Sequence, residues 1–98
     1  EIESITAQLI EKYKPEKIIL FGSAARGDVT PDSDVDLLII KQDTPHYGAD
    51  RIMEVSGLIE RAVPVDFLAY RPDEFQSWLG MGDPFIELIL KEGKVLYG

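Results

Sequence analysis

Three aspartates stand where an ordinary buried strand would place apolar residues. Asp34 and Asp36 are two apart at the start of the run Asp34–Lys41 (DVDLLIIK), whose centre, Leu37–Ile40, is wholly apolar. Side chains alternate between the faces of a strand, so both carboxylates point to one face, one repeat apart. Carboxylates that close repel each other and are costly to desolvate unless a cation sits between them. Asp66 repeats the pattern within Val65–Tyr70 (VDFLAY). If these two strands are neighbours, three carboxylates converge, and an oxygen-only cluster of that kind suits magnesium or manganese. Each aspartate alone also fits a plainer role, because strand starts and sheet edges are commonly polar and solvated. A calcium loop is excluded although Asp32, Asp34 and Asp36 alternate. Leu37 stands where such a loop requires Gly, Asp43 where it requires Glu, and a strand follows in place of a helix.

Gly22-Ser23 closes the run Lys17–Phe21 (KIILF). Glycine lets the backbone turn tightly and approach a ligand closely, and Ser23 adds a hydroxyl at the start of a helical turn whose N–H groups favour an anion. Arg26, three residues on, returns to the same side. Alone, Gly-Ser is a plain strand-to-turn junction. It is not the phosphate loop GxxxxGK[ST], since no such run occurs.

Positioning these residues requires several elements. Ile5, Leu9, Ile10 and Tyr13 at helical spacing, with Ile2 extending the stripe, predict a helix over Ser4–Tyr13 that Pro15 stops. Lys17–Phe21, Asp34–Lys41 and Val65–Tyr70 read as strands. Ser23–Gly27 is one helical turn, and Asp28–Ser33 and Gln42–Ala49 are loops. Ile52, Val55, Ile59 and Ala62 predict a helix over Arg51–Ala62. A further helix opens at Arg71-Pro72-Asp73 and breaks at Gly80-Met81-Gly82. Asp83-Pro84 is an N-cap with proline at the first helical position, and Phe85, Leu88 and Ile89 form the apolar face of the helix it starts, which Gly93 ends. Lys94–Tyr97 is an edge strand. This order predicts an α/β (α+β) fold, a small mixed β-sheet of three to four strands with helices packed on it, in one domain over 1–98.

Composition excludes several functions. The 98 residues carry 10 Lys plus Arg against 18 Asp plus Glu, a formal net charge of −8. Non-specific nucleic acid binding needs basic residues to displace counterions, and acidic membrane surfaces are disfavoured for the same reason. With no cysteine and His46 as the one histidine, disulfides, thiol chemistry and zinc are unexpected. No stretch approaches the roughly 20 apolar residues of a membrane helix, so a cytoplasmic protein is expected. The numbering opens on Glu1, so a few native residues are expected before it.

Together, Gly22-Ser23, a ten-residue spacer, Asp34-Val35-Asp36 and a distal Asp66 resemble the nucleotidyltransferase superfamily of DNA polymerase β. The fuller run GSAARGDVTPDSDVDLLI closely resembles the minimal nucleotidyltransferase (MNT) family, GS-x-A-R-G…S-D-[IVL]-D-L, and the likeness covers nearly the whole chain. The resemblance implies a nucleotidyltransferase fold and a magnesium-dependent transfer of a nucleoside monophosphate, AMP from ATP, to an acceptor hydroxyl. It assigns Gly22 and Ser23 to the β/γ-phosphates, with Arg26 as a phosphate contact or loop clasp. Asp34 and Asp36 would bind two Mg2+ ions, with Mn2+ an alternative. Asp66 would complete the site for the metal that activates the acceptor.

The acceptor implied by the resemblance is a tyrosine of a HEPN-domain partner, a toxin, with this chain as the antitoxin of a toxin-antitoxin system and a hetero-oligomer as the assembly. Two alternatives stay open: a non-catalytic antitoxin that neutralises its partner by contact, and transfer to RNA or a small molecule. A basic partner suits the −8 charge. Among the remaining residues, His46 reads as a solvated loop residue, Phe75 and Trp78 as core or interface, and Tyr97 as packing the last strand. Met81 reads as a hinge or a patch for a partner chain.

Overall fold

A computed structural model describes residues 2–27, 35–45 and 48–98. The N-terminal stripe folds as α1 (Ile2–Gln8) continued by a π-helical turn, Leu9–Tyr13, which ends on Lys14 in the left-handed region at φ 56°. The wider turn buries Leu9 and Tyr13 and leaves Ile10 largely exposed, so Ile10 is not part of the core as its spacing predicts. Next come β1 (Lys17–Phe21), the single turn α2 (Ser23–Arg26), and β2 (Val35–Ile40). The expected loop Asp28–Ser33, Asp34 and His46 lie outside the described residues.

Helix α3 spans Gly48–Leu58, earlier at both ends than the apolar spacing predicts. Its inward face also differs, because it carries a buried charge. Arg51, 3% exposed, turns inward beside Val55, while Ile52 faces outward and Ile59 packs into the core beyond the helix end. Arg51 is accommodated because it makes a two-pronged contact with Glu74 (2.6 and 3.2 Å) and donates to the carbonyls of Pro45 and Ala69. The remaining elements are β3 (Val65–Tyr70), α4 (Pro72–Gly80), α5 (Pro84–Glu92) and β4 (Lys94–Tyr97). Asp83 caps α5 as expected, its side chain accepting from the Phe85 amide at 2.9 Å.

The four strands form one mixed sheet in the order β3-β2-β1-β4, with β2 and β3 parallel and β1 antiparallel to both β2 and β4. Period-two alternation splits the core. One face carries Ile18, Leu20, Leu37, Ile39 and Phe67 against α1, the π-helical turn and α3. The other carries Ile19, Leu38 and Ile40 against Phe75, Ile86 and Ile89 of α4 and α5. The apolar face of α5 is therefore Ile86 and Ile89. Phe85 and Leu88, expected inside, are 41% and 47% exposed, and Tyr97 is exposed on the edge strand. Phe75 is core, whereas Trp78 and Met81 lie on the surface.

Candidate active site

The parallel register of β2 and β3 places Asp36 directly beside Asp66. Both side chains leave the α4/α5 face of the sheet, on strands roughly 4.8 Å apart. On its other side Asp36 is paired with Phe21, the last residue of β1. Three strand ends thus meet along one edge of one face, and the second carboxylate comes from a strand whose register no single strand can reveal.

Gly22 follows Phe21 at φ 74°, a conformation that disfavours any side chain. A Cβ at this position would collide with Oδ2 of Asp36. The turn and the carboxylate are therefore in direct contact, and only glycine fits between them. Its carbonyl then accepts from the amides of Ala25 and Arg26, both at 3.2 Å, which closes the single turn that Ser23 opens. Arg26 ends that turn with Nη1 3.4 Å from Oε2 of Glu92, at the end of α5. The pair is exposed and so adds little stability.

Two hollows flank the strand ends and share Phe21 and Phe85, whose rings meet edge to face at 5.7 Å. The larger, about 430 Å³, holds Asp36 and Asp66 between Ile52, Leu68 and Phe85. The smaller, about 190 Å³, holds Gly22, Arg26, Leu88 and Glu92. Of the six residues singled out in the sequence, Gly22, Asp36 and Asp66 converge. Ser23 is adjoining, Arg26 lines the neighbouring hollow, and Asp34 lies outside the described residues.

The donors at this edge are oxygen-only, the set that magnesium and manganese prefer, and they fit such an ion. Among the described residues no group of three or more His, Cys, Asp or Glu forms a metal cluster; Asp36 and Asp66 are a pair. Phe85, Ile52 and Glu92 also line the hollows, and sequence reasoning missed them as site residues. Phe85 was visible as an apolar residue on a helical stripe. Nothing local marked it as facing the site.

A mixed four-stranded sheet with helices packed on it is the fold of a known domain. The family model for the nucleotidyltransferase domain matches residues 2–97, and the chain belongs to that family. It is a nucleotidyltransferase, an enzyme whose substrate is a nucleoside triphosphate. A Methanocaldococcus jannaschii protein named "Putative protein adenylyltransferase MJ0604" is 34% identical over 98 residues, covering 98% of this chain and 94% of the relative. Another from that organism, named "Putative protein adenylyltransferase MJ0141", is 53% identical over 36 residues, 37% of this chain and 36% of the relative. A crystal structure described as a putative nucleotidyltransferase from Sulfolobus solfataricus superposes with a TM-score of 0.55 at 28% identity, over 78% of each chain. Among the described residues no helix is long and apolar enough to cross a membrane.

Proposed function

We propose that this chain transfers AMP from ATP, with magnesium, to a hydroxyl group of a partner protein. The observation that carries this reading is the order of groups across the sheet: Gly22 after β1, Asp36 on β2, Asp66 on β3. An in-line displacement needs the leaving pyrophosphate and the entering oxygen on opposite sides of the α-phosphorus. On this reading Gly22, Ser23 and Arg26 receive the β- and γ-phosphates. The α-phosphate lies at Asp36, and the acceptor comes in over Asp66.

The acceptor oxygen forms a new bond to the α-phosphorus, and the bond from that phosphorus to the bridging oxygen of pyrophosphate breaks. Pyrophosphate departs with the electron pair, and the hydroxyl proton passes to a carboxylate oxygen of Asp66. Asp34, Asp36 and Asp66 are the residues that would hold magnesium, which when bound offsets the charge of the triphosphate and of the entering and leaving oxygens.

The relatives named as protein adenylyltransferases support a protein acceptor, and the motif's resemblance to the MNT family supports a tyrosine of a HEPN-type partner, with this chain as its antitoxin. The test is calorimetry of ATP binding with and without magnesium, followed by mass spectrometry of a HEPN partner incubated with the chain and ATP. Magnesium-dependent binding, and a partner tyrosine heavier by one or more AMP units that Asp36→Asn abolishes, are expected. A partner neutralised equally well by the Asp36→Asn variant, with no mass gain, overturns transfer as the mechanism.

A further inference from the structure

The hollow beside Asp66 does not stop at the carboxylates. Further along β3 lies another, of about 250 Å³, among Arg51, Tyr70, Glu74 and Trp78, and Ile52 and Leu68 line both. The two are stretches of one groove beside β3, walled by α3 on one side and by α4 and α5 on the other. Asp66 and Tyr70 are four residues apart on one strand, so the groove runs roughly 13 Å at about 3.3 Å per residue. An extended polypeptide segment of about four residues spans that length.

The walls carry apolar side chains turned to solvent. Ile52 is 38% exposed, Phe85 41% and Trp78 46%. The aromatic ring that α4 contributes to the core is Phe75, which leaves Trp78 without a packing role of that kind. Among the described residues, the ionisable groups lining the groove are Asp36, Asp66, Tyr70, Glu74 and Arg51. Arg51, the cation among them, is buried and bound to Glu74, whereas the Glu74 side chain reaches solvent. A groove that is acidic at the Asp36/Asp66 end, with an exposed indole at the other and Glu74 already paired with Arg51, matches a cationic side chain carried on an extended chain. It matches a nucleic acid poorly, because phosphates require exposed Lys or Arg.

We propose that this groove seats the acceptor as an extended polypeptide segment. The hydroxyl residue lies at Asp66, and a lysine or arginine about four residues away lies against the exposed face of Trp78. This deepens, and rests on, the reading of the site as a transferase acting on a protein hydroxyl.

Trp78 is the only tryptophan in the chain, so its fluorescence reports the far end of the groove directly. The probes are tryptophan-free peptides with one central tyrosine and a lysine four residues to either side, beside the same peptides with glutamate in place of lysine. The lysine peptides should shift Trp78 emission saturably and bind about tenfold more tightly than the glutamate peptides. In transfer assays Trp78→Ala should raise KM for the lysine peptides about tenfold, with a smaller change in kcat and no change in Mg·ATP affinity by calorimetry. Emission that neither peptide set moves, or that only an RNA oligonucleotide moves, overturns the proposal, as does a KM that Trp78→Ala leaves unaltered. If the wild type binds no Mg·ATP the transfer reading fails, while the emission titration still decides what the groove holds.

Discussion

Charge is handled in opposite ways at the two ends of the β2–β3 pair. At the first end the register sets two like charges, Asp36 and Asp66, side by side. At the other, Arg51 is buried against Glu74. That carboxylate also accepts from the Arg71 amide at 2.9 Å, and the Arg71 guanidinium donates to the Thr44 carbonyl at 2.7 Å. The second arrangement ties α3, α4, the end of β3 and the segment before α3 into one unit. The first sets two negative charges in neighbouring register positions, a repulsion that a cation placed between them would offset. A cluster of charges on a small domain therefore says little until the signs and partners are known. Opposite signs locked together hold a fold, whereas like signs in register add nothing to it by themselves.

Substitutions that reverse this contrast test it. The largest effect belongs to Asp66→Asn, which removes one of the like charges. Transfer of AMP should fall roughly 10²–10⁴-fold, as for loss of a proton acceptor, while the urea midpoint stays the same or rises. A midpoint that drops markedly would mean Asp66 is structural.

Arg51→Met is the converse. It leaves Glu74 without its guanidinium and should cost about 2–4 kcal/mol in urea unfolding, below the figure for a fully buried pair because Glu74 reaches water. Its pH dependence has a definite sign. The hydrogen bond from Arg51, above all, holds the Glu74 carboxyl below the usual carboxylate range. The stability this contributes is complete above that range and is lost as pH falls through the lowered pKa. Arg51→Met should flatten that acid limb, read from urea midpoints across the acid range.

Gly22→Ala returns to the like-charged end. The backbone here, at φ 74° and ψ −156°, is essentially glycine's alone and costs about 1–3 kcal/mol for any other residue, and the added methyl pushes on the Asp36 carboxylate. Mg·ATP affinity by calorimetry should weaken along with stability, because turn and carboxylate move together.

The smallest change is Tyr13→Phe, near the paired charges. The Tyr13 hydroxyl is buried with no hydrogen-bond partner among the described residues, and Lys41 Nζ sits 4.1 Å from its ring centroid. Burial first, and Glu54 second, push its pKa up to about 12. Phenylalanine keeps the ring contact and removes the unpaired hydroxyl, so stability near neutral pH should rise by up to about 1 kcal/mol. The wild type should lose the contribution of a neutral Tyr13 as pH climbs from about 10 through about 12, and the variant should lack that limb.

Much of this architecture can be read directly from local pattern. The β1 strand, the β3 strand and the Asp83-Pro84 start of α5 follow from runs and caps that need no tertiary information. The pairing of Asp36 with Asp66 was visible only as a conditional, because register is a relation between two strands. The buried face of α3 escaped for a similar reason. A spacing rule ranks Ile52 above Arg51 as a core residue, and only Glu74, on another helix, makes burial of Arg51 tolerable. The π-helical turn that turns Ile10 outward has no marker in apolar spacing, which assumes an unbroken α-helical repeat.

The parallel β2–β3 pairing also bears on how the chain folds. Parallel neighbours cannot be joined by a tight turn, so the whole of α3 must be traversed before Val35–Ile40 meets Val65–Tyr70. That closure is non-local and belongs to the slower part of folding. It is also the step that forces Asp36 and Asp66 together. Dissolved salt, and divalent cations above all, should therefore quicken refolding, because they screen the repulsion where the barrier is met. A refolding rate that salt and magnesium leave unaltered would show that the carboxylate pair takes no part in this step.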